Sequence, residues 1–559
     1  MIATLAPRPV LCVTEHEHHD HELAEAVAAG RFTFAGETRT LGTEPDWLGA
    51  DLPADEEWRI EWVKFGYGLD LASAHETTGE PRFATAWERL VASWIRQVPP
   101  DHDRSEVTAR RILNWLYAWQ RFGDRSRGLM RALERSIAEQ LAHVRANLAP
   151  ERNHRTLELY ALLVAALALP WLDPYRQLLG LAVAELDRNL ATDFREDGVH
   201  REASTHYHMI ALRSFAGARE NARRYGVRVP DGFDARLSRA CDFALHCRRP
   251  DGQIPMLSDS DGGDYAELLA LAGEALDRDD LRWAGSGGHR GRPPAVRGAD
   301  FPAGGYFVQR SGWGDRDRFL VFDCGPLGDG GHGHYDLLSI EAAADGRPLV
   351  VDPGRFTYSE EPPNLRRCFR GTAAHNTVCV DGLDQTPYTR GRPSGDVARG
   401  RFLGRARTAA LDVLAGEARS PAYEAVHRRR IVLVRGGYWI VEDRLSGACA
   451  HRYDLRFHLP PEAHGKTFVA AGRSVVAPGL ALAILGGGTP AIEPGWVAPR
   501  YGHRLPAPVV SVVADGARDA RFVTVLGTER ARVACDGRLL HVDGDTIVLG
   551  EGALEVALC

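Results

Sequence analysis

The sequence predicts an α+β multidomain chain in which a helical half is followed by a β half. Three observations carry this. Before about residue 300, apolar residues recur at helical spacing; from Gly285 to Pro302 a Gly-, Pro- and Arg-rich stretch breaks the pattern; after it come short apolar runs of strand type. A run of helices followed by a run of strands indicates separate domains, not one interleaved sheet.

In chain order, Leu23 to Ala29 reads as a short helix behind Glu15-His16-Glu17-His18-His19-Asp20-His21. That stretch is either a metal grip or a solvated helix entry, the usual setting for such side chains. Ile112, Trp115, Leu116 and Trp119 fall on one helical face, and Leu133, Ile137, Leu141, Val144 and Leu148 form a second stripe. Leu157 to Leu169 is almost wholly apolar, which predicts a helix buried on most sides. Short connections at Gly123-Asp124-Arg125, Pro150-Glu151-Arg152, Pro170 to Pro174 and Gly226 to Gly232 suit antiparallel helical hairpins. Beyond the break, Phe319-Leu320-Val321-Phe322 is one strand. Ile431 to Val434, Arg435-Gly436-Gly437 and Tyr438 to Val441 make a hairpin. Val509 to Val513, Phe522 to Leu526 and Thr546 to Leu549 continue the β habit.

Bulk properties exclude several classes. No apolar run reaches the ~18 residues of a membrane helix, and a net charge of −7 argues against nucleic-acid binding. Nine scattered cysteines, an odd count without Cys-x-x-Cys, argue against a disulfide scaffold or a zinc–thiolate site. Met1 to Arg8 lack a basic region leading into an apolar stretch. The expectation is a cytoplasmic protein as written, or a periplasmic or secreted one if a leader has been removed. Lysine occurs only at Lys64 and Lys466, so the cationic side chains are almost all arginines. Their guanidinium forks suit carboxylates and sulfates, although composition bias explains the same excess.

Three constellations could carry chemistry. Gly330-Gly331-His332-Gly333-His334-Tyr335-Asp336 is followed by Val350-Val351-Asp352-Pro353-Gly354 and Thr372-Ala373-Ala374-His375-Asn376-Thr377. Imidazoles and a carboxylate among strands can ligate zinc or manganese, or simply occupy turns. Arg152-Asn153-His154-Arg155 opens the buried helix, with Asn153 either its N-cap or a carboxylate-binding amide. Asp197 to His208 crowds polar and aromatic groups before an apolar helix; within it Tyr207 is either an acid–base group or a packed aromatic.

These segments, with Ala29 to Gly36 and Trp58 to Trp62 near the front, resemble the heparinase II/III-like polysaccharide lyases over most of the chain. The most specific marks are His-x-His-x-Asp, Val-Asp-Pro-Gly and Ala-His-Asn-Thr, in that order. The resemblance implies an incomplete (α/α) toroid followed by an antiparallel β-sandwich. The expected parts are a helical segment over residues 1–95, the main toroid over 96–295, a metal-bearing sandwich over 296–460 and a β extension over 461–559. It implies that Asn153, Tyr207 and His332 are catalytic, Asn153 by binding the uronate carboxylate. His334, Asp352 and His375 are then ligands of one divalent cation (zinc, manganese or calcium), expected to be structural and to pin the His332 loop. His154 suggests the Asn–His pair of alginate-lyase relatives, and Glu202 and Arg370 are candidate substrate contacts. The expected active site lies between the two domains.

The implied reaction is β-elimination beside a uronic acid. An amide and a cation stabilise charge developing at the carboxylate, a base removes the C5 proton, and an acid protonates the departing O4. Tyrosine titrates near ~10, so Tyr207 must be perturbed or relayed to serve as the base. The expected partner is an anionic polysaccharide or oligosaccharide, with neither nucleic acid nor membrane; self-association into a homo-oligomer is left open. Arg152, Arg155, Arg366, Arg367 and Arg370 facing sulfates would favour glycosaminoglycans over alginate. A uronyl C5-epimerase needs the same clamp, and a non-catalytic polysaccharide-binding protein needs only the fold. A glycoside hydrolase is disfavoured because no motif places a carboxylate pair.

Overall fold

The computed structural model describes residues 6–14, 18–50, 52–123, 126–174, 176–393, 395–470 and 473–559. Glu15, His16, Glu17, Asp124 and Arg125 of the predicted segments lie outside these, as do the first five residues. Two compact units form, Met1–Asp193 with Ile210–Leu237, and Phe194–Met209 with Ser238–Cys559. The segment carrying Tyr207 therefore belongs with the strands, although it precedes them by about a hundred residues.

The first unit is helical. Asp20 caps the helix His21–Ala28 by accepting from the Leu23 amide, and His18 pairs with Asp70 at 2.8 Å. The described part of the His-rich stretch is thus a helix entry. Trp47 stacks on Trp62 with centroids 4.2 Å apart, beside Phe65 and Trp115, in an aromatic core. The helix Ser105–Phe122 carries the predicted stripe on its buried face. It also buries Arg111, which is satisfied by Asp103 at 2.6 Å and Gln140 at 2.9 Å and lies over Trp94. A charge so placed needs those partners. The helix Arg152–Ala168 is buried from Thr156 to its last residue, as its unbroken apolar run requires. Asn153 is not its cap. Glu151 holds that position without a side-chain capping bond, and Asn153 is the second helical residue.

The second unit is dominated by antiparallel sheets. One has five strands in sequence order, from Ala299–Phe301 to Arg347–Val350. A ten-stranded sheet is centred on the long strands Tyr438–His458 and His503–Gly527, and a four-stranded sheet runs from Val533–Asp536 to Val556–Leu558. Strand alternation explains how they stack. Leu320, Phe322, Ile431, Leu433, Trp439 and Val441 fill one core between the five- and ten-stranded sheets. Their neighbours Val432, Val434 and Ile440 face the opposite way, onto Leu540, Val542 and Ile547 of the small sheet. Phe319 and Val321 pack instead with Val199, Phe243 and Leu257. These strands read as continuous apolar runs because both of their faces are covered. The predicted hairpin forms with Val434 opposite Tyr438, and its three-residue loop places Arg435 and Gly436 at positive φ.

Candidate active site

The helix Thr205–Arg224 begins against the loop 255–260, whose groups fix its first turn. Thr205 Oγ1 donates to the Pro255 carbonyl at 2.5 Å, Ser204 Oγ to the Asp259 carbonyl at 2.8 Å, and the His206 amide to Ser260 Oγ at 3.1 Å. Tyr207 therefore projects from an anchored turn. Its ring stacks on His332 with centroids 3.8 Å apart and planes 20° from parallel.

His332 is held from behind. Its Nδ1 faces Asp259 Oδ2 at 2.9 Å, and His334 Nε2 faces Asp259 Oδ1 at 2.8 Å. Arg366 closes a two-pronged ion pair on the same carboxylate. The arginine keeps Asp259 well below the usual carboxylate range although burial acts the other way. An ionised Asp259 accepts a hydrogen bond from Nδ1–H of His332, which leaves Nε2 of the neutral ring with its lone pair. Burial lowers the His332 pKa against the pull of Asp259, so the ring is neutral near pH 7. The intervening Gly333 is obligatory, since a Cβ there would sit 1.6 Å from the Leu327 carbonyl oxygen.

The Tyr207 hydroxyl meets that of Tyr358 at 2.8 Å. Tyr358 accepts from Arg355 at 2.5 Å, and Arg355 is clamped by Asp261 at 2.7 and 2.9 Å. Burial pushes Tyr207 up to about 12; Arg355 and Tyr358 oppose it, while Asp259 and Glu202 add to it. Tyr207 is thus a phenol at neutral pH.

His334, Asp352 and His375 gather in a buried group, each offering a ligand atom within 4.8 Å of the others. His375 Nδ1 lies 2.7 Å from Asp352 Oδ2, and the two imidazole rings are 5.2 Å apart. His334 Nδ1 and His375 Nε2 are buried without a hydrogen-bond partner among the described residues. Buried ring nitrogens are seldom left so, and two of them beside a carboxylate fit a divalent cation. Asn376 next to them is a tie between strands: its amide donates to the carbonyls of Ile340 and Val351 and accepts from the His458 amide.

Asn153 and His154 belong to the helical unit. Asn153 is buried, and its Nδ2 has no hydrogen-bond partner among the described residues; His154 is exposed. Glu202 is buried in the sheet unit, where its charge reaches Tyr207. The expectation that Arg370 contacts substrate is corrected. It is fully buried, and it donates to the carbonyls of Gly331, Gly333 and Gly391, holding the histidine loop. The sulfate expectation fails likewise for Arg366, spent on Asp259, and for Arg155, paired with Glu185 at 2.6 Å. Sequence reasoning missed Asp259, Arg355 and Tyr358. Arg355 and Tyr358 directly follow Val-Asp-Pro-Gly, a position that could have flagged them; Asp259, in a Ser-Asp-Ser-Asp turn, carried no such signal.

Comparison with known proteins adds the family and the fold type. The sequence profile described as Heparinase II/III N-terminus matches residues 13–277, and that described as Heparinase II/III-like, C-terminal matches residues 293–530. A heparin-sulfate lyase of Bacteroides stercoris is 23% identical over 534 residues, covering 87% of this chain and 77% of the relative. A crystal structure of heparinase III superposes with a TM-score of 0.82 at 18% identity, over 99% of this chain and 92% of the other. The heparan sulfate lyase HepC mutant from Pedobacter heparinus gives 0.70 at 18% identity, over 99% and 91%. The fold is therefore the toroid-plus-sandwich type. With both profiles matched in order, and with the tyrosine, histidine and ligand-type residues gathered within one unit, the chain belongs to the heparinase II/III-like family of polysaccharide lyases.

Proposed function

We propose that this polysaccharide lyase cleaves glycosaminoglycans of the heparan sulfate class by β-elimination, leaving a 4,5-unsaturated uronate end. The observation that carries the reading is the stacked Tyr207–His332 pair, in which burial favours a protonated phenol and a neutral imidazole. In this scheme Nε2 of His332 takes the C5 proton and the Tyr207 hydroxyl protonates the departing O4. Tyr358, Arg355 and Asp261 keep the phenol aimed, and Asp259 stabilises the imidazolium that forms. The buried amide of Asn153 is proposed to receive the uronate carboxylate, where negative charge grows as the C5 proton leaves.

His334, Asp352 and His375 are proposed to hold one divalent cation, zinc best matching two imidazoles and a carboxylate. When bound, it supplies a fixed positive charge that anchors strands around the His332 loop. The heparan sulfate assignment rests on the names of the relatives.

Incubation with a panel of uronate polymers, followed by ultraviolet absorbance, tests the function. Heparan sulfate should yield an absorbing unsaturated product faster than chondroitin, hyaluronan or alginate. Turnover of alginate alone would refute the substrate class. Loss or wash-in of the C5 hydrogen without any absorbing product would replace elimination with C5-epimerisation.

A further inference from the structure

A second group of ligating side chains lies within the sheet unit, on residues with no part in the proposed elimination. The strand Tyr438–His458 loses register against His503–Gly527 between Ser446 and His451, and again between His451 and Tyr453. Such irregularities re-aim side chains. Here they bring Cys449 and His451 together, with Sγ 3.5 Å from Nε2. Glu424 lies in the connection ahead of the strand Val426–Val434. Its Oε1 is 3.2 Å from that sulfur and 3.0 Å from that nitrogen. The same oxygen is steadied by the backbone amides of Ala448 and Cys449, at 3.0 and 3.1 Å.

The other side of the imidazole is oriented as well. Nδ1 of His451 faces Asp381 Oδ2 at 2.6 Å. Asp381 follows the strand Val378–Val380, which pairs with Tyr453 to Leu455 and so delivers it beside His451. Its Oδ1 accepts from the Arg452 amide at 2.8 Å, and its own amide donates to the Arg452 carbonyl. A histidine whose Nδ1–H donates to an anchored carboxylate can present Nε2 as a ligand, the arrangement that supports metal-bound imidazoles. The ring also needs Gly447, where a Cβ would come within 2.8 Å of its Cδ2. His451 is buried, whereas Glu424 and Cys449 are open to solvent, so an ion can enter.

We propose that Glu424, Cys449 and His451 bind a divalent cation of the zinc class, with Asp381 orienting the imidazole and water completing the coordination. A sulfur and an imidazole nitrogen favour zinc over calcium or magnesium, which take oxygen ligands. On binding, the thiol proton and the proton on Nε2 pass to solvent, and the thiolate and carboxylate balance the two charges of the ion. The ion fastens the Glu424 connection to the irregular part of the long strand. It is distinct from the His334–Asp352–His375 group, which contains no sulfur.

That difference supplies the test. The reduced full chain is titrated with Co²⁺, whose thiolate charge-transfer band in the near ultraviolet reports only sulfur ligation. Wild type should show the band rising to the intensity of one thiolate-bound cobalt per chain. Cys449→Ser should abolish it with the circular dichroism unchanged, and Asp381→Asn should weaken binding about 10–100-fold. Zn²⁺ should also protect Cys449 from alkylation, while exposed Cys12, Cys368, Cys535 and Cys559 continue to react as internal controls. Cobalt bound without the band, a band that survives Cys449→Ser, or unprotected alkylation overturns the proposal.

Discussion

At the scale of the residue, Tyr207 and His332 owe their states to burial more than to charge. Burial alone disfavours phenolate and imidazolium alike, and it is the leading cause acting on each ring. The phenol therefore serves as an acid across the neutral range. Tyr207→Phe keeps the stacked ring and removes only the hydroxyl. Turnover should fall about 10²–10⁴-fold while the melting temperature stays near wild type. The pH profile gives an independent check. With Tyr207 as the acid and its pKa pushed up to about 12, kcat/KM should be flat between about pH 8 and about pH 10. A tyrosinate base would instead make kcat/KM climb nearly tenfold per unit over that range. Neither ring's state was readable from Asp197 to His208 or from Gly330 to Asp336, because the fold that buries them, and the charged groups Asp259, Arg366 and Arg355 that adjust the outcome, lie far away in sequence.

At the scale of the element, the entry to the helix Arg152–Ala168 is secured by an acid inside the helix itself. Glu158 accepts from Ser105 Oγ at 2.6 Å and from the Ala149 amide at 2.7 Å, tying the start of Ser105–Phe122 to the turn before Asn153. Burial, outweighing those two bonds, raises its pKa from 4.5 to about 7. A carboxyl whose pKa is higher in the folded state stabilises the fold when protonated. That contribution is complete below about pH 4.5 and is lost as pH rises through about 7. Denaturant unfolding should therefore show stability falling over this window by on the order of 2 kcal/mol, reduced from the full shift by partial solvent screening. Glu158→Gln should flatten that part of the curve. The helix was legible from its apolar run, whereas its start was not. Asn153 resembles a cap by type and position, yet Arg152 takes a positive φ of 71° and the Asn153 Nδ2 has no hydrogen-bond partner among the described residues.

At the scale of the whole molecule, the sheet unit is a stack of three sheets around two cores, and the proposed cation fastens the loop side of one of them. A ligand that binds only the folded state raises apparent stability by mass action. Chelation should lower the thermal midpoint of the full chain, and Zn²⁺ should restore it. His334→Ala should lose one equivalent of metal by elemental analysis and, with it, the part of the chelator effect that this group supplies. Retention of that equivalent would remove the histidine from the ligand set.

The helix-then-strand order, the hairpin around Arg435-Gly436-Gly437 and the doubly buried strands were written in the sequence, because periodicity and turn chemistry are local. The family marks pointed to Tyr207, His332, His334, Asp352 and His375, which the structure places in one unit, because each sits in a short motif. What only the tertiary structure decided was the traffic among distant residues. Asp259 serves two histidines and an arginine 73 to 107 positions away; Arg370 holds a loop where a substrate contact was expected; and an irregular strand turns Cys449 and His451 toward Glu424. Such contacts depend on which loops the packed layers bring side by side, and that arrangement leaves no periodic trace along the chain.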